Sequence, residues 1–205
     1  MNEPNQIDDD GRRARGVATR EAILEVATRH FARHGYRRTL LEDVAADAGI
    51  SKGLIRFHFA SKDGLAVAVL RDLQIAEAAW IAETAGHEED PVGALNRLLE
   101  RQHMHRTDRT DLAAVTGSLS MEASQRPLIR EQLKTSYNWY RGQVEKVIEA
   151  GRRQGVFRDD ISPSALAGLF LAALDGVYIH RRLGYDDLDA VRDSLQALLS
   201  TPVPA

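Results

Sequence analysis

The sequence predicts an all-α protein of about nine helices, in which a small N-terminal three-helix domain precedes a larger helical body. Apolar residues recur at spacings of three and four through most of the 205 residues, which is the period of a helix with one buried face. Residues that cap or break helices separate these stretches. No alternation of the kind that predicts a strand extends over a useful length.

The first two helices are marked by local signals. Ile23, Ala27 and Phe31 form an apolar stripe at spacing four, and Gly35 follows at the position where a helix ends in the left-handed conformation. The stretch from Thr39 to Glu42 reads as a capping box, in which the threonine and glutamate side chains each accept a hydrogen bond from the backbone amide of the other residue.

Further caps follow within the next 23 residues. Gly49 breaks the helix that begins near Thr39, Ser51 caps another short helix, and Ser61 caps a long one. The remaining helices are expected at about residues 62–84, 91–106, 111–123, 127–151, 162–182 and 187–198. Prolines 91, 127 and 163 stand where the first residue of a helix tolerates proline.

Composition excludes several classes of protein. The chain has no cysteine, so disulfides, thiolate metal sites and a cysteine nucleophile are excluded, and a reducing cytoplasm is the expected compartment. No apolar run approaches the roughly 20 residues that cross a bilayer, and the polar, acidic start is unlike a signal peptide. We therefore expect a cytoplasmic protein with no membrane partner.

Charge is distributed unevenly along the chain. The net charge is −3, but Gly11 to Lys62 carries 11 Lys and Arg against 5 Asp and Glu, whereas the chain from Asp63 onward carries 16 against 21. A basic head on an acidic body favours a partner such as nucleic acid for the head alone.

Two short helices joined by a glycine turn are typical of a helix-turn-helix, whose second helix lies in the DNA major groove. Ile50, Ile55 and Phe59 are expected to point inward and to hold the pair against the first helix. The outward side then carries Lys52, Gly53, Leu54, Arg56, Phe57 and His58. Lys52 and Lys62 stand at helix N-termini, where free amides and the helix dipole favour phosphates.

Residues Thr19 to about Val69 resemble the N-terminal domain of the tetracycline-repressor (TetR) family. The matching stretches are "TREAILEVATRHFARHGYRRT", "LLEDVAADAGISKG" and "FHFASKDGLAVAVL". Within the body, "LDGVYIHRRLG" (Leu174 to Gly184) is similar to a segment of the subgroup that includes the betaine-pathway repressors. The resemblance implies a DNA-reading head, a ligand cavity and a dimer face.

The resemblance also assigns roles in DNA binding. Thr39, Lys52 and Lys62 match positions that usually touch phosphates, Gly53 matches a close backbone approach, and Ser51 belongs to the same motif. Leu54, Arg56 and Phe57 stand where the family usually has threonine, tyrosine and histidine. Arg56 could read guanine and Phe57 a thymine methyl group. The alternative for Leu54 and Phe57 is that they pack against neighbouring residues.

The arm at residues 1–16 lacks helical periodicity and is predicted to be flexible. Its Arg12, Arg13 and Arg15 could enter an adjacent minor groove, or they form a solvated charge run. The expected segments are this arm, a helix-turn-helix domain at 17–66, a ligand-binding and dimerisation body at 67–200 and a tail at 201–205.

Dimerisation is expected because one recognition helix reads only a few base pairs, whereas two related by a twofold axis read a palindrome. The helix at Ser162 to Arg182 is apolar on more than one side, so that it can face both its own core and a partner. A deeply buried helix of a monomer is the alternative. The predicted dimer residues are Leu166, Phe170, Leu174, Val177, Tyr178, Leu188, Val191, Leu195 and Leu198.

Aromatic and polar residues near inward helix faces are the candidates for a ligand pocket, although a residue of this kind taken singly is more often core or surface. They are Trp80, Leu99, Gln102, Met104, Thr116, Leu119, Glu122, Trp139, Tyr140 and Phe170. Glu122, if buried, needs a partner, and a cationic ligand could serve.

Nothing in the motifs predicts catalysis, a cofactor or a metal; His30 and His34 lie one turn apart but lack a third ligand. We expect a sequence-specific transcriptional regulator, by family default a repressor. It would be a homodimer that a small-molecule effector releases from a palindromic double-stranded DNA operator. The alternative is a helical interaction module that has lost specific DNA reading.

Overall fold

The structure, a computed structural model, describes residues 6–85, 89–104, 112–185 and 188–200, without the side chains of residues 6–13, 84, 85, 102–104, 112, 181 and 188. Nine α-helices occupy these ranges: α1 Gln6–Arg38, α2 Leu41–Asp47, α3 Lys52–Phe59, α4 Lys62–Trp80, α5 Pro91–Met104, α6 Leu112–Ser120, α7 Pro127–Arg153, α8 Pro163–Arg182 and α9 Leu188–Leu199. A π-helical turn, Ile81–Ala85, follows α4.

The predicted all-α class is confirmed. Across the described ranges the only β pairing is an isolated bridge between Phe157 and Ser200. The helix bounds agree closely with the caps and prolines of the sequence. The exception is the N-terminus, because α1 begins at Gln6 and residues 6–16 are helical where a flexible arm was expected. Extending a helix that is already nucleated is far easier than starting one, so weak local periodicity is no barrier there.

The first of two compact units comprises Met1–Leu73 and Arg109–Leu133. It contains α1, α2, α3, α6 and the adjoining parts of α4 and α7. Its core includes the fully buried Phe31 together with Ile55, Leu65, Leu119 and Ile129. This unit is larger than the expected domain at residues 17–66, because α6 and the start of α7 supply part of the core that a three-helix head alone would lack.

The second unit comprises Gln74–Asp108 and Lys134–Ala205. Its core gathers residues from four helices, among them Leu99, Ile148, Phe170 and Leu195. Close packing extends to the loop after α7, where the Phe157 ring lies so near Gly151 that a Cβ on that glycine would fall 2.0 Å from it.

One arginine holds the loop between α7 and α8. The Arg152 guanidinium donates to the backbone carbonyls of Arg158, Asp159 and Ile161. Loop carbonyls that lie outside a helix need such partners when they are taken out of water. The loop is therefore fixed without secondary structure of its own.

Candidate DNA interface

The turn between α2 and α3 has the geometry that the sequence predicts. Gly49 has a φ of +66°, in the left-handed region that strains other residues, and the Ile50 amide donates to the Ala45 carbonyl at 3.0 Å. Ser51 caps α3, because its hydroxyl oxygen accepts a hydrogen bond from the Leu54 amide at 3.3 Å. The predicted glycine break and serine cap are confirmed.

One side of α3 is locked into the first unit. Ile55 is fully buried and Phe59 is buried, and both join the core around Phe31 of α1. Ile50 is half-buried and packs against the same core. This side is therefore committed to holding the helix, as the inward-pointing pattern predicts.

The other side of α3 faces outward. The ring of Phe57 is 82% exposed, and Gly53 and Arg56 are also exposed, whereas Leu54 and His58 are half-buried. The Phe57 ring meets His58 edge-on, with ring centroids 5.4 Å apart. Because most of the ring is exposed, the structure does not favour the alternative that Phe57 only packs against neighbouring residues.

Thr39 departs from the expectation. It is fully buried, and its hydroxyl donates to the Gly35 carbonyl at 2.8 Å. The N-cap of α2 is Leu40, without a side-chain cap, so the predicted capping box is wrong. The Thr39 hydroxyl is bonded to the Gly35 carbonyl at the break of α1 rather than to an amide of α2. It is therefore not exposed for contact with a phosphate.

Lys52 and Lys62, the predicted phosphate contacts, both have partners within the chain. Lys52 forms an ion pair with Glu42. The Lys62 ammonium donates to the Arg37 carbonyl at 3.3 Å and lies 4.3 Å from the centre of the Tyr36 ring. Burial, and next the nearby positive charge of Arg126, lower the pKa of Lys62.

A cluster of charged residues that joins α1, the start of α4 and the connection between α6 and α7 was not foreseen from the sequence. The Tyr36 hydroxyl donates to Asp63, which also accepts from Arg126 at 3.0 Å. The Arg37 guanidinium donates to Glu122 at 2.7 Å, and Arg126 lies 3.7 Å from the same carboxylate. Most of these partners are far apart in sequence, so only the four-residue spacing of Glu122 and Arg126 could have signalled a pair.

This cluster answers the question about Glu122. Its side chain is buried, but Arg37 and Arg126 already supply the opposite charge. Burial, and then the hydrogen bond to Asp63, raise the pKa of Tyr36, so its hydroxyl remains a donor at neutral pH. A cationic ligand is therefore not required to compensate Glu122.

The candidate pocket residues divide between the two units. Thr116, Leu119 and Glu122 belong to the first, and Leu119 is part of its core. The other described members belong to or pack against the core of the second unit: Trp80, Leu99, Trp139, Tyr140 and Phe170. The side chains of Gln102 and Met104 lie outside the described part of the chain.

A cavity of about 110 Å³ lies in the second unit, lined in part by Leu99, Phe170 and the Asn96–Gln196 hydrogen-bonded pair. It is smaller than the few hundred Å³ of a typical ligand site. Of the predicted pocket residues whose side chains are described, the lining includes Leu99 and Phe170.

Half of the described candidate dimer residues are buried within the chain. Four of them, Leu166, Phe170, Val177 and Leu195, are buried within the chain's own unit, and three others, Leu174, Tyr178 and Val191, are half-buried. Leu198 is exposed. The side chain of Leu188 lies outside the described part of the chain. The outward stripe of α8 instead carries Leu169 and Ile179, which are 47% and 55% exposed.

By length and composition alone, Pro163–His180 of α8 could cross a membrane, although only 28% of that stretch is buried. Helices of water-soluble proteins pass the same test, so this is weak evidence for a membrane. Much of the rest of the stretch is half-buried, and the large apolar side chains that it leaves exposed are Leu169 and Ile179.

Known proteins resemble this chain in both sequence and structure. The model of the family "Bacterial regulatory proteins, tetR family" matches residues 23–69. A protein from Saccharomonospora viridis, described as a transcriptional regulator and solved in complex with choline, is 30% identical. It superposes with a TM-score of 0.77 over 88% of this chain and 95% of its own. The chain belongs to the TetR family.

Two other members of the family differ in how much they match. The HTH-type transcriptional regulator RutR of Escherichia coli (strain K12) is 38% identical over 92 residues, which span 43% of this TetR-family chain but only 42% of RutR. The protein named "Probable acrEF/envCD operon repressor" in the same strain is 23% identical over 85% of this chain and 82% of its own length. Residues 23–69, which the family model matches, lie wholly in the first unit.

Proposed function

We propose that this TetR-family chain is a homodimeric transcriptional regulator that binds a palindromic operator through α3 and leaves it when a small molecule binds. The observation that carries the proposal is the division of α3 into two sides. Ile55 and Phe59 fix one side in the core, while Arg56 and Phe57 stand exposed on the other. A helix held in this way can enter a major groove.

The exposed side chains suggest what α3 reads. An arginine fits the O6 and N7 acceptors of guanine, and an aromatic ring fits the methyl group of thymine. We expect Arg56 and Phe57 to make these contacts. Gly53 leaves room for the backbone to approach the DNA, and Ser51 and Lys52 lie at the N-terminus of α3, where phosphates are favoured.

The dimer is expected to form through the outward stripe of α8. Leu169 and Ile179 on α8 and Leu198 on α9 expose apolar surface that a second copy would cover. Two copies of α3 would then read two half-sites separated by about one turn of DNA, roughly 34–36 Å.

Repression released by a ligand is supported by the relatives. The "Probable acrEF/envCD operon repressor" supports the sign of regulation, and the choline complex of the Saccharomonospora viridis protein supports a small organic effector. The effector would act by binding better to the conformation of the dimer that does not fit the operator.

Operator binding tests the proposal. Fluorescence anisotropy with DNA from upstream of the chain's own gene should show specific binding that weakens steeply with salt. Arg56→Ala should lose about 5- to 150-fold in affinity for each half-site, equivalent to the roughly 1–3 kcal/mol of one base contact, and the dimer should lose both contacts. Arg130→Ala, which removes an exposed arginine of α7 in the same unit, is the matched control and should bind normally.

The thymine contact has a separate test. Replacing single operator thymines by deoxyuridine removes only the methyl group. It should weaken the wild-type chain at one position per half-site and leave Phe57→Ala unaffected. If no DNA binds specifically, the chain is the interaction module that the sequence leaves as the alternative.

A further inference from the structure

Three helices of the second unit bring a buried carboxylate, a guanidinium and aromatic rings together. Glu77 of α4 is only 3% exposed. Arg101 of α5 contacts its two oxygens through Nε, at 3.4 and 3.2 Å, and through one Nη at 3.2 Å. The same guanidinium lies 4.4 Å from the centre of the Trp80 ring.

The hydrogen bonds of this ion pair are long for a pair that is so deeply buried. Charge-assisted hydrogen bonds between a guanidinium and a carboxylate are usually about 2.7–2.9 Å long, and the Arg37–Glu122 pair of the first unit reaches 2.7 Å. A buried pair repays its desolvation only when the geometry is good. The Arg101 side chain also keeps 20% of its surface exposed, which leaves it a path to solvent.

A third group, the hydroxyl of Tyr140 on α7, lies buried beside the pair. Burial, and next the Glu77 carboxylate, raise the pKa of Tyr140, so the hydroxyl keeps its proton. Tyr140 therefore places a neutral aromatic side chain beside the ion pair.

The backbone next to these residues is also unusual. The π-helical turn Ile81–Ala85 begins directly after Trp80. Such turns interrupt the regular helical hydrogen bonds and are frequent at functional sites. The break therefore falls beside the ring on which the guanidinium rests.

We propose that Glu77, Trp80 and Tyr140 form a seat for an organic cation with a quaternary ammonium group, and that Arg101 is its displaceable resident occupant. An aromatic face beside a carboxylate is the arrangement that recognises such cations. The ligand would replace Arg101 on both Glu77 and the ring. The inference rests on the proposed function, since it names the chemical class of the effector.

Tetramethylammonium chloride is the probe, with tert-butanol as a neutral molecule of similar bulk and sodium chloride as the ionic-strength control. Tryptophan fluorescence and the melting temperature of the full chain report binding. We expect saturable changes with tetramethylammonium only. Glu77→Gln should weaken binding by at least about tenfold, because the carboxylate supplies the opposite charge.

Arg101→Gln gives a result that an ordinary structural ion pair would not. The substitution empties the seat, so affinity for tetramethylammonium should rise by about tenfold, and the cation should restore part of the melting temperature that the variant loses. Arg97→Gln, one turn earlier on α5 and paired with Asp90, is the matched control and should keep wild-type affinity. Trp80→Leu, tested by thermal shift, should lose binding even if Glu77→Gln does not fold.

The seat is refuted if tert-butanol acts like tetramethylammonium, or if Arg101→Gln weakens or does not change cation binding. Operator binding without any cation is measured separately. A chain that binds DNA but not the cation contradicts only the seat, whereas one that binds the cation but no DNA contradicts only the proposed function.

Discussion

Gly35, the residue at which α1 is interrupted, is a position where a single methyl group should destabilise the first unit through both its backbone and its packing. Its backbone has φ +71° and ψ 172°, a combination that only glycine adopts readily. A Cβ there would also fall 3.3 Å from the Ser118 hydroxyl of α6. That hydroxyl accepts a hydrogen bond from the Tyr36 amide at 3.0 Å.

The expected cost of Gly35→Ala has two parts. Forcing alanine into this backbone conformation costs about 1–3 kcal/mol, and disturbing the hydrogen bond between α1 and α6 costs about 1 kcal/mol more. The free energy of unfolding should therefore fall by about 2–4 kcal/mol. For a chain of this size that corresponds to a melting temperature lower by roughly 4–16 °C.

Two other glycines serve as controls in urea and thermal unfolding. Gly49 has a φ of +66° but open space around it, so Gly49→Ala should cost about 1–2 kcal/mol from the backbone alone. Gly142 lies within α7, also in open space, and Gly142→Ala should stabilise by about 0.5–1 kcal/mol.

A double-mutant cycle isolates the contact between the helices. In a Ser118→Ala background, the penalty of Gly35→Ala should shrink by about 1 kcal/mol, because the contact is already lost. The reasoning fails if Gly35→Ala costs no more than Gly49→Ala, or if its penalty is the same in both backgrounds.

Three further predictions concern strain, packing and assembly. Ala60→Gly should raise the free energy of unfolding by about 1 kcal/mol, because Ala60 has a φ of +61° after α3; a lower midpoint in urea would contradict this. Gly151→Ala should lower it by about 1–3 kcal/mol, because the new methyl group displaces the Phe157 ring, and unchanged melting would show that the loop yields freely. Ile179→Asp should convert the dimer to a folded monomer in light scattering, and a surviving dimer would exclude the α8 stripe as its interface.

Much of the first unit was predictable from the sequence because its signals are local. Gly49 and Ser51 affect only the backbone within a few residues of themselves, so their effect can be predicted without knowing the fold. Thr39 shows where local reading fails, since its hydroxyl could cap α2 or bond the Gly35 carbonyl and only the geometry of the α1 break decides between them.

The second unit was harder to predict, because its burial pattern and its ion pairs depend on residues that are far apart in the sequence. Helix α8 is apolar on both sides, so periodicity alone does not say that Phe170 is 1% exposed while the neighbouring Leu169 faces outward. Glu77 was not among the candidate residues at all. Its partner Arg101 lies on another helix, and a glutamate at a buried helical position looks like any other until that partner is placed.

The exposed ring of Phe57 has a thermodynamic consequence for operator binding. Contacts of lysine and arginine with phosphates release counterions from the DNA. The free energy gained from this release falls as the salt concentration rises, so these contacts weaken. An aromatic ring taken out of water instead contributes a negative heat-capacity change and does not depend on salt in that way. Affinity that survives at high salt, and that curves with temperature, would therefore be the signature of this ring.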